Sequence, residues 1–260
     1  MFTWQYIVFY VVILLTNVIQ CITGFAGTVL AMPFSLRLVG YDVAKPLLNI
    51  LGLAASIWVL IFNFKKINVK EFIKIIVVMV VGIVAGYFLM KYVTIDKKTL
   101  YVTLGVIVLV FSVIGILKTF VFEKRKKINE DTANNEKKKI FSIFKTIIEL
   151  LILAVAGLVH GMYVCGGPLL VVYASSRLKD KDEFRATLSA SWVVLNSIIL
   201  VTDSVNGLMN IEILPIFGIC MAVLIVALII GNLIVKKMNK TFFMILTYTL
   251  MVISGISLLI

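Results

Sequence analysis

The chain is poor in the residues on which most enzyme chemistry rests. It has one histidine, His160, in 260 residues, which rules out a histidine-built metal centre. Its three cysteines, Cys21, Cys165 and Cys220, lie far apart in apolar surroundings that suit neither a disulfide framework nor a zinc motif. An HExxH pair, a P-loop and a GxSxG elbow are all missing. Acids are scarce, thirteen Asp and Glu against twenty-five Lys and Arg. The three nearest to apolar runs, Glu149, Asp203 and Glu212, stand towards segment ends. Cation transporters and proton pumps keep intramembrane carboxylates, so the lack of a buried carboxylate ladder disfavours a cation substrate. No cofactor and no metal is expected.

What the sequence has in plenty is apolar length. Hydrophobic residues make up 62% of the chain and its mean hydropathy is +1.11, against roughly half apolar in soluble domains. A helix needs about 20 apolar residues to cross a bilayer, which leaves room for about eight hydrophobic segments and no folded soluble domain. The fold class expected is an all-α polytopic integral membrane protein. The net charge of +12 would suggest nucleic acid in a soluble protein. Here the basic residues cluster in short connections between apolar runs, as membrane topology requires, so the bilayer is the expected partner and nucleic acid is not. The first twenty residues lack a basic n-region and a small-residue cleavage site, and they read as a retained membrane segment.

Two stretches interrupt the apolar pattern in the same way. Residues 4–22 are apolar and are followed by TGFAGTVLAMPFSLRLVGYD, where Gly24 and Gly27 precede a short apolar piece ending near Arg37. Three segments of crossing length follow, at 47–62, 73–90 and 100–117. Residues 118–145, containing EKRKKINEDTANNEKKK, read as a solvated, mobile, cytoplasmic linker. Then residues 146–159 lead into LVHGMYVCGGPLLVVYASS, broken between Gly161 and Pro168, and further crossings are expected at 186–202, 211–235 and 242–260. The domains expected are therefore a first repeat at 1–117, the linker, and a second repeat at 146–260. Each half is a broken pair followed by three crossings. Gly86 before a Lys-rich turn in the first half is matched by Gly231 in the second.

Charge decides how the broken regions run. If each is a single crossing, Lys65, Lys66, Lys70, Lys74 and the nine basic residues of the linker make 13 on one side and leave 12 on the other. If each is a re-entrant hairpin, 20 basic residues share one side and 5 the other. The positive-inside tendency favours the hairpins. Each half then makes an odd number of full crossings, the halves are inverted relative to each other as in many secondary transporters, and both termini lie outside the cell membrane.

Hairpins entering from opposite faces would bring residues 24–28, GFAGT, and residues 165–168, CGGP, towards the midplane. Irregular backbone at that depth is tolerated only where it is buried in protein or lines a cavity. Glycine allows close approach, and Pro168 suits a first helical turn. The helices starting near Thr28 and Pro168 would aim free N–H groups and a positive dipole end inwards, which suits a small anion. The substrate-binding set expected is Gly24, Phe25, Ala26, Gly27, Thr28, Cys165, Gly166, Gly167, Pro168, Asn49 and Ser189. Arg37, Lys45 and Arg185 are cations at the mouths, where snorkelling is the competing role. His160 suits a coupling proton or a packed interior position. Cys165 suits contact with a sulfur-containing anion, small-residue packing, or, beside His160, a nucleophile and base. No third orienting group accompanies that pair, so the chain is expected not to be an enzyme.

GFAGTVLAMP, then GMYVCGGPLLVVY with FRATLSASWVV, and the closing GNLIVKKMNKTFFMILTYTLMVISGISLLI resemble the sulfite exporter TauE/SafE family of membrane transporters across nearly the whole chain. The family's glycine-rich segments map onto Gly24, Gly27 and Pro33, and onto Gly161, Gly166 and Gly167. Cys165 departs from the pattern, falling where the family often has glycine or another small residue, and Tyr173 stands where the first half has Pro33. The resemblance implies transport of small anions, often sulfite, sulfonates or related sulfur compounds, usually outward and driven by the proton gradient. A different anion such as a carboxylate is the alternative substrate.

Overall fold

The computed structural model describes residues 4–92, 135–178, 180–207 and 214–259, with six further helical positions between 102 and 113. Among these residues all regular structure is helical: α1 (Trp4–Thr23), α2 (Ala26–Val39), α3 (Tyr41–Asn63) with a 3-10 turn (Phe64–Lys66), α4 (Val69–Tyr92), α5 (Asn135–Tyr163), α6 (Gly167–Arg177), α7 (Lys181–Val205), α8 (Leu214–Lys237) and α9 (Lys240–Leu259). Five of the described helices, α1, α3, α4, α7 and α8, are long and apolar enough to cross a membrane. Their outer faces suit lipid: Val77, Val81, Val84 and Phe88 on α4, and Ile225, Val226, Ile229 and Leu233 on α8, are exposed. Lipid rather than water is the solvent such faces need. This is a multi-pass membrane protein. The crossing expected at 100–117 and linker residues 118–134 lie largely or wholly outside the described residues. The helix expected from 146 begins at Asn135, inside the segment read as a linker.

The two breaks fall where the sequence places them. α1 stops at Thr23, Gly24 takes the left-handed backbone (φ 83°), and α2 begins at Ala26. α2 then folds back along α1. A Cβ on Gly27 would lie 2.6 Å from Gln20 Cβ and 2.8 Å from the Thr16 carbonyl, so the reversal depends on glycine there. α5 ends at Tyr163, and Val164 has φ 58°, a costly conformation for a β-branched residue. α6 starts at Gly167 with Pro168 in its first turn. With 14 and 11 residues, α2 and α6 are about 21 and 16 Å long, short of the roughly 30 Å hydrocarbon core.

Residues around the two breaks match in sequence at a constant spacing. Adding 140 carries Gln20 to His160, Gly24 to Val164, Gly27 to Gly167, Lys45 to Arg185, Asn49 to Ser189 and Ser56 to Asn196. The two positive-φ breaks, at Gly24 and Val164, thus stand 140 residues apart, one with the glycine and one without. In α4 and α8 the offset is 145, which takes Gly86 to Gly231.

Glycines set the helix packing around the breaks. Gly82 and Gly86 on α4 face Gly157 and Gly161 on α5, a small-xxx-small pair on each helix. A Cβ on Gly82 would strike the Ala154 carbonyl, one on Gly86 the Leu158 carbonyl, and one on Gly161 would lie 2.7 Å from the Ile83 carbonyl. Such close backbone approach is how membrane helices associate without a hydrophobic driving force. Gly231 of α8 repeats the device against α1, where an added Cβ would lie 2.6 Å from Cys21 Cβ and 3.0 Å from the Val18 carbonyl.

α3 and α7 run antiparallel through the centre. Lys45 Nζ bonds Asp203 Oδ1 at 2.6 Å, Asn49 Nδ2 donates to the Asn196 carbonyl at 3.0 Å, Lys66 pairs with Asp182, and the Asn68 amide donates to Thr187 Oγ1 at 3.0 Å. The acids lie deeper than their positions in sequence suggest. Asp203, Glu71 and Glu149 are all buried, and each is neutralised: Asp203 by Lys45, Glu71 by Lys74 and the Tyr173 hydroxyl at 2.5 Å, Glu149 by Arg177. Buried charge is tolerated when paired.

Candidate functional site

The site forms where the two breaks touch. A Cβ on Gly167, the first residue of α6, would lie 3.2 Å from the Phe25 carbonyl and 3.6 Å from Val29 Cγ2. Residues 24–28 and 165–168 are thereby brought together. Between them lies a small cavity of about 10 Å³, lined by Gln20, Phe25, Thr28 and Val29 from the first half and by His160, Val164, Gly167, Trp192 and Asn196 from the second. That volume holds about one water. The centre is closed in this conformation.

The two short helices differ at their N-termini. In α2 the Gly27 amide donates to Gln20 Oε1 at 2.8 Å, and the Phe25 and Ala26 amides reach Thr23 Oγ1 at 3.4 Å. Its first amides are therefore engaged by the chain itself. α6 has no side-chain cap. His160, the equivalent of Gln20, turns elsewhere: its Nε2 lies 3.1 Å from Asn196 Oδ1 and its ring packs on Trp192 with centroids 5.0 Å apart. With the Asn196 oxygen as acceptor, Nε2 is the donor in this contact. Nδ1 is then a buried acceptor with no hydrogen-bond partner among the described residues.

Asn49 and Ser189 are fully or almost fully buried in the same region. Asn49 holds the Asn196 carbonyl, while Ser189 Oγ lies 3.9 Å from the position of a Cβ on Gly24 and has no hydrogen-bond partner among the described residues. Cys165 is buried within the second break. Two expected contacts need restating. Gly27 is packed tightly on α1, and Gly166 on Ala156 and His160, so both serve the turn itself rather than open space. Gly24 and Gly167 are the glycines that face the junction.

The mouth cations separate. Arg37 stands exposed in the last turn of α2, about 15 Å along the helix from the break. Lys45 and Arg185 do not snorkel: they are 8% and 4% exposed. Lys45 has Asp203. Arg185 donates from one terminal nitrogen to the Cys21 carbonyl at 2.6 Å, at the C-terminal end of α1.

Sequence reading did not single out Gln20, Thr23 or Trp192. Gln20 and Thr23 carried a signal of a sort, since polar side chains one turn ahead of a glycine break are placed to cap the helix after it. Trp192 looks like any apolar residue until α7 is set against α5.

A family model described as sulfite exporter TauE/SafE matches residues 9–258. No curated protein and no solved structure matches the chain.

Proposed function

This chain belongs to the sulfite exporter TauE/SafE family, a family of membrane transport of sulfite or related anions, and from that premise we propose that it is a secondary exporter of a small sulfur oxyanion, sulfite or a sulfonate. The anion is held where the breaks at residues 24–28 and 165–168 meet, with Asn49 and Ser189 completing the shell. The observation that carries this reading is the contact of Gly167 with the Phe25 carbonyl across a buried cavity. It is the place where irregular backbone from both halves lines one space, which is the condition for such backbone inside a membrane.

The sign of the site supports an anion. α6 presents an uncapped N-terminus there, and the three buried acids are already neutralised by cations. A carboxylate substrate would use the same end, and the sulfur oxyanion is favoured by the family. Catalysis through Cys165 has no supporting geometry beyond its nearness in sequence to His160.

The equivalence of Gly24 with Val164 and the antiparallel α3 and α7 support two inverted halves, each opening with a hairpin too short to cross. Rocking of one half against the other then opens the closed centre to either face. The basic linker and the loops near Lys65, Arg177 and Lys236 lie in the cytoplasm, with the termini outside. His160 Nδ1, a buried acceptor beside the cavity, is suited to take the coupling proton.

Sulfite flux into liposomes carrying the purified protein tests the reading. Gly167→Leu, which fills the junction, should abolish flux, whereas Gly218→Ala, at a position with nothing within 4 Å, should leave it at the wild-type rate. Wild-type flux in folded Gly167→Leu protein would remove the junction from the pathway.

A further inference from the structure

α7 carries a line of unsatisfied donors that runs away from the cavity. Arg185, Ser189, Trp192 and Asn196 are spaced by four, three and four residues, so they share one face of the helix. Trp192 and Asn196 line the cavity. The other two stand beside the first break, where a Cβ on Gly24 would lie 3.8 Å from the Arg185 Cα and carbonyl and 3.9 Å from Ser189 Oγ. Arg185 Nε, Ser189 Oγ and Trp192 Nε1 are all buried and have no hydrogen-bond partner among the described residues. From Arg185 to Trp192 is about 10 Å along the axis.

The guanidinium on this line forms no ion pair with a carboxylate among the described residues. Lys45, the equivalent of Arg185, meets Asp203 on α7. The position equivalent to Asp203 is Asn63, which donates to the Val59 carbonyl of its own helix. The acids near Arg185 in sequence are engaged elsewhere: Asp182 with Lys66, and Glu183 as acceptor from Asn68. A guanidinium 4% exposed and without a carboxylate is costly in protein interior and in lipid alike. The Cys21 carbonyl, at the negative end of α1, offsets part of that cost, and an anion held beside the guanidinium would offset more.

We propose that Arg185 and Ser189, against Gly24, form an anion-binding station beside the cavity, sharing Ser189 with the shell of the junction, at which an oxyanion such as sulfite is held by the guanidinium and the hydroxyl before or after it occupies the junction. This rests on the anion-transport reading above and adds to it the group that supplies the positive charge. Guanidinium binds oxyanions in a planar fork that an ammonium cannot reproduce. The station belongs to the second half alone, since Asn49 stands where Ser189 has its hydroxyl and Lys45 is already paired.

The test uses the full chain in liposomes and measures initial rates of sulfite flux against concentration, together with the melting temperature with and without sulfite. Arg185→Lys keeps the charge and loses the fork, and Ser189→Ala loses only the hydroxyl. Each should raise the KM for sulfite about tenfold or more, with kcat and the ligand-free melting temperature near wild type. Arg185→Gln should lose saturation and the sulfite-induced melting shift. A wild-type KM in folded Arg185→Lys and in Ser189→Ala overturns the station, whether or not Arg185→Gln folds. Absence of sulfite flux in the wild-type protein overturns the transport reading itself, so the two failures are told apart.

Discussion

Lys45 on α3 and Asp203 on α7 form an ion pair at 2.6 Å, with the carboxylate fully buried, and it ties the two halves of the chain together at one end of their central helix pair. The other end is tied by Lys66 and Asp182, at the surface.

Removing one partner of the inner pair strands the other. Lys45→Ala or Asp203→Ala should each destabilise the protein by about 3–5 kcal/mol, and replacing both, with Lys45→Met and Asp203→Leu, should recover most of that loss. Unfolding in mild detergent followed by far-UV dichroism measures both. Equal losses in the single and double replacements would show that the pair contributes through packing alone. Breaking the surface pair with Lys66→Ala should cost under about 1 kcal/mol.

Helix spacing at the breaks should respond to single methyl groups. Gly86→Ala drives a Cβ into the Leu158 carbonyl, and Gly231→Ala drives one to 2.6 Å from Cys21 Cβ. Each should cost about 1–3 kcal/mol through overpacking. Gly218→Ala, on α8 with open space around it, should be neutral or stabilise by up to about 1 kcal/mol through helix propensity. The melting temperatures of the three variants give the comparison, and a Gly86→Ala protein as stable as Gly218→Ala would contradict the close α4 to α5 contact.

Much of this was legible in the sequence because membrane segments advertise themselves by length and hydropathy. The breaks at Gly24 to Gly27 and between Gly161 and Pro168 were visible as glycine and proline interrupting apolar runs, and Gly86 and Gly231 as matched positions. Their partners were not. That Gly86 meets Leu158, or that Gly167 meets Phe25, depends on how helices distant in sequence pack, which local pattern does not encode. The depth of Asp203 was misjudged for a similar reason: a residue just past the end of the crossing expected at 186–202 looks like an interface, and only the antiparallel register with Lys45 shows that it is buried. Arg185 looked like a residue at a membrane mouth, since a long cation near a segment end usually snorkels. Its burial follows from the path of α1, whose C-terminal Cys21 carbonyl it caps.

The central claim is that an anion occupies the junction of the two breaks, and Trp192 reports on that place directly. The chain has three tryptophans, Trp4, Trp58 and Trp192, and Trp192 lines the cavity with its ring against His160. With Trp4→Phe and Trp58→Phe, the remaining emission comes from the site. Titrating sulfite into this protein should give a saturable change in Trp192 emission, with half-saturation matching the KM of flux, and Gly167→Leu should abolish it. A linear collisional response, identical in wild-type and Gly167→Leu backgrounds while sulfite flux persists, would place the anion elsewhere.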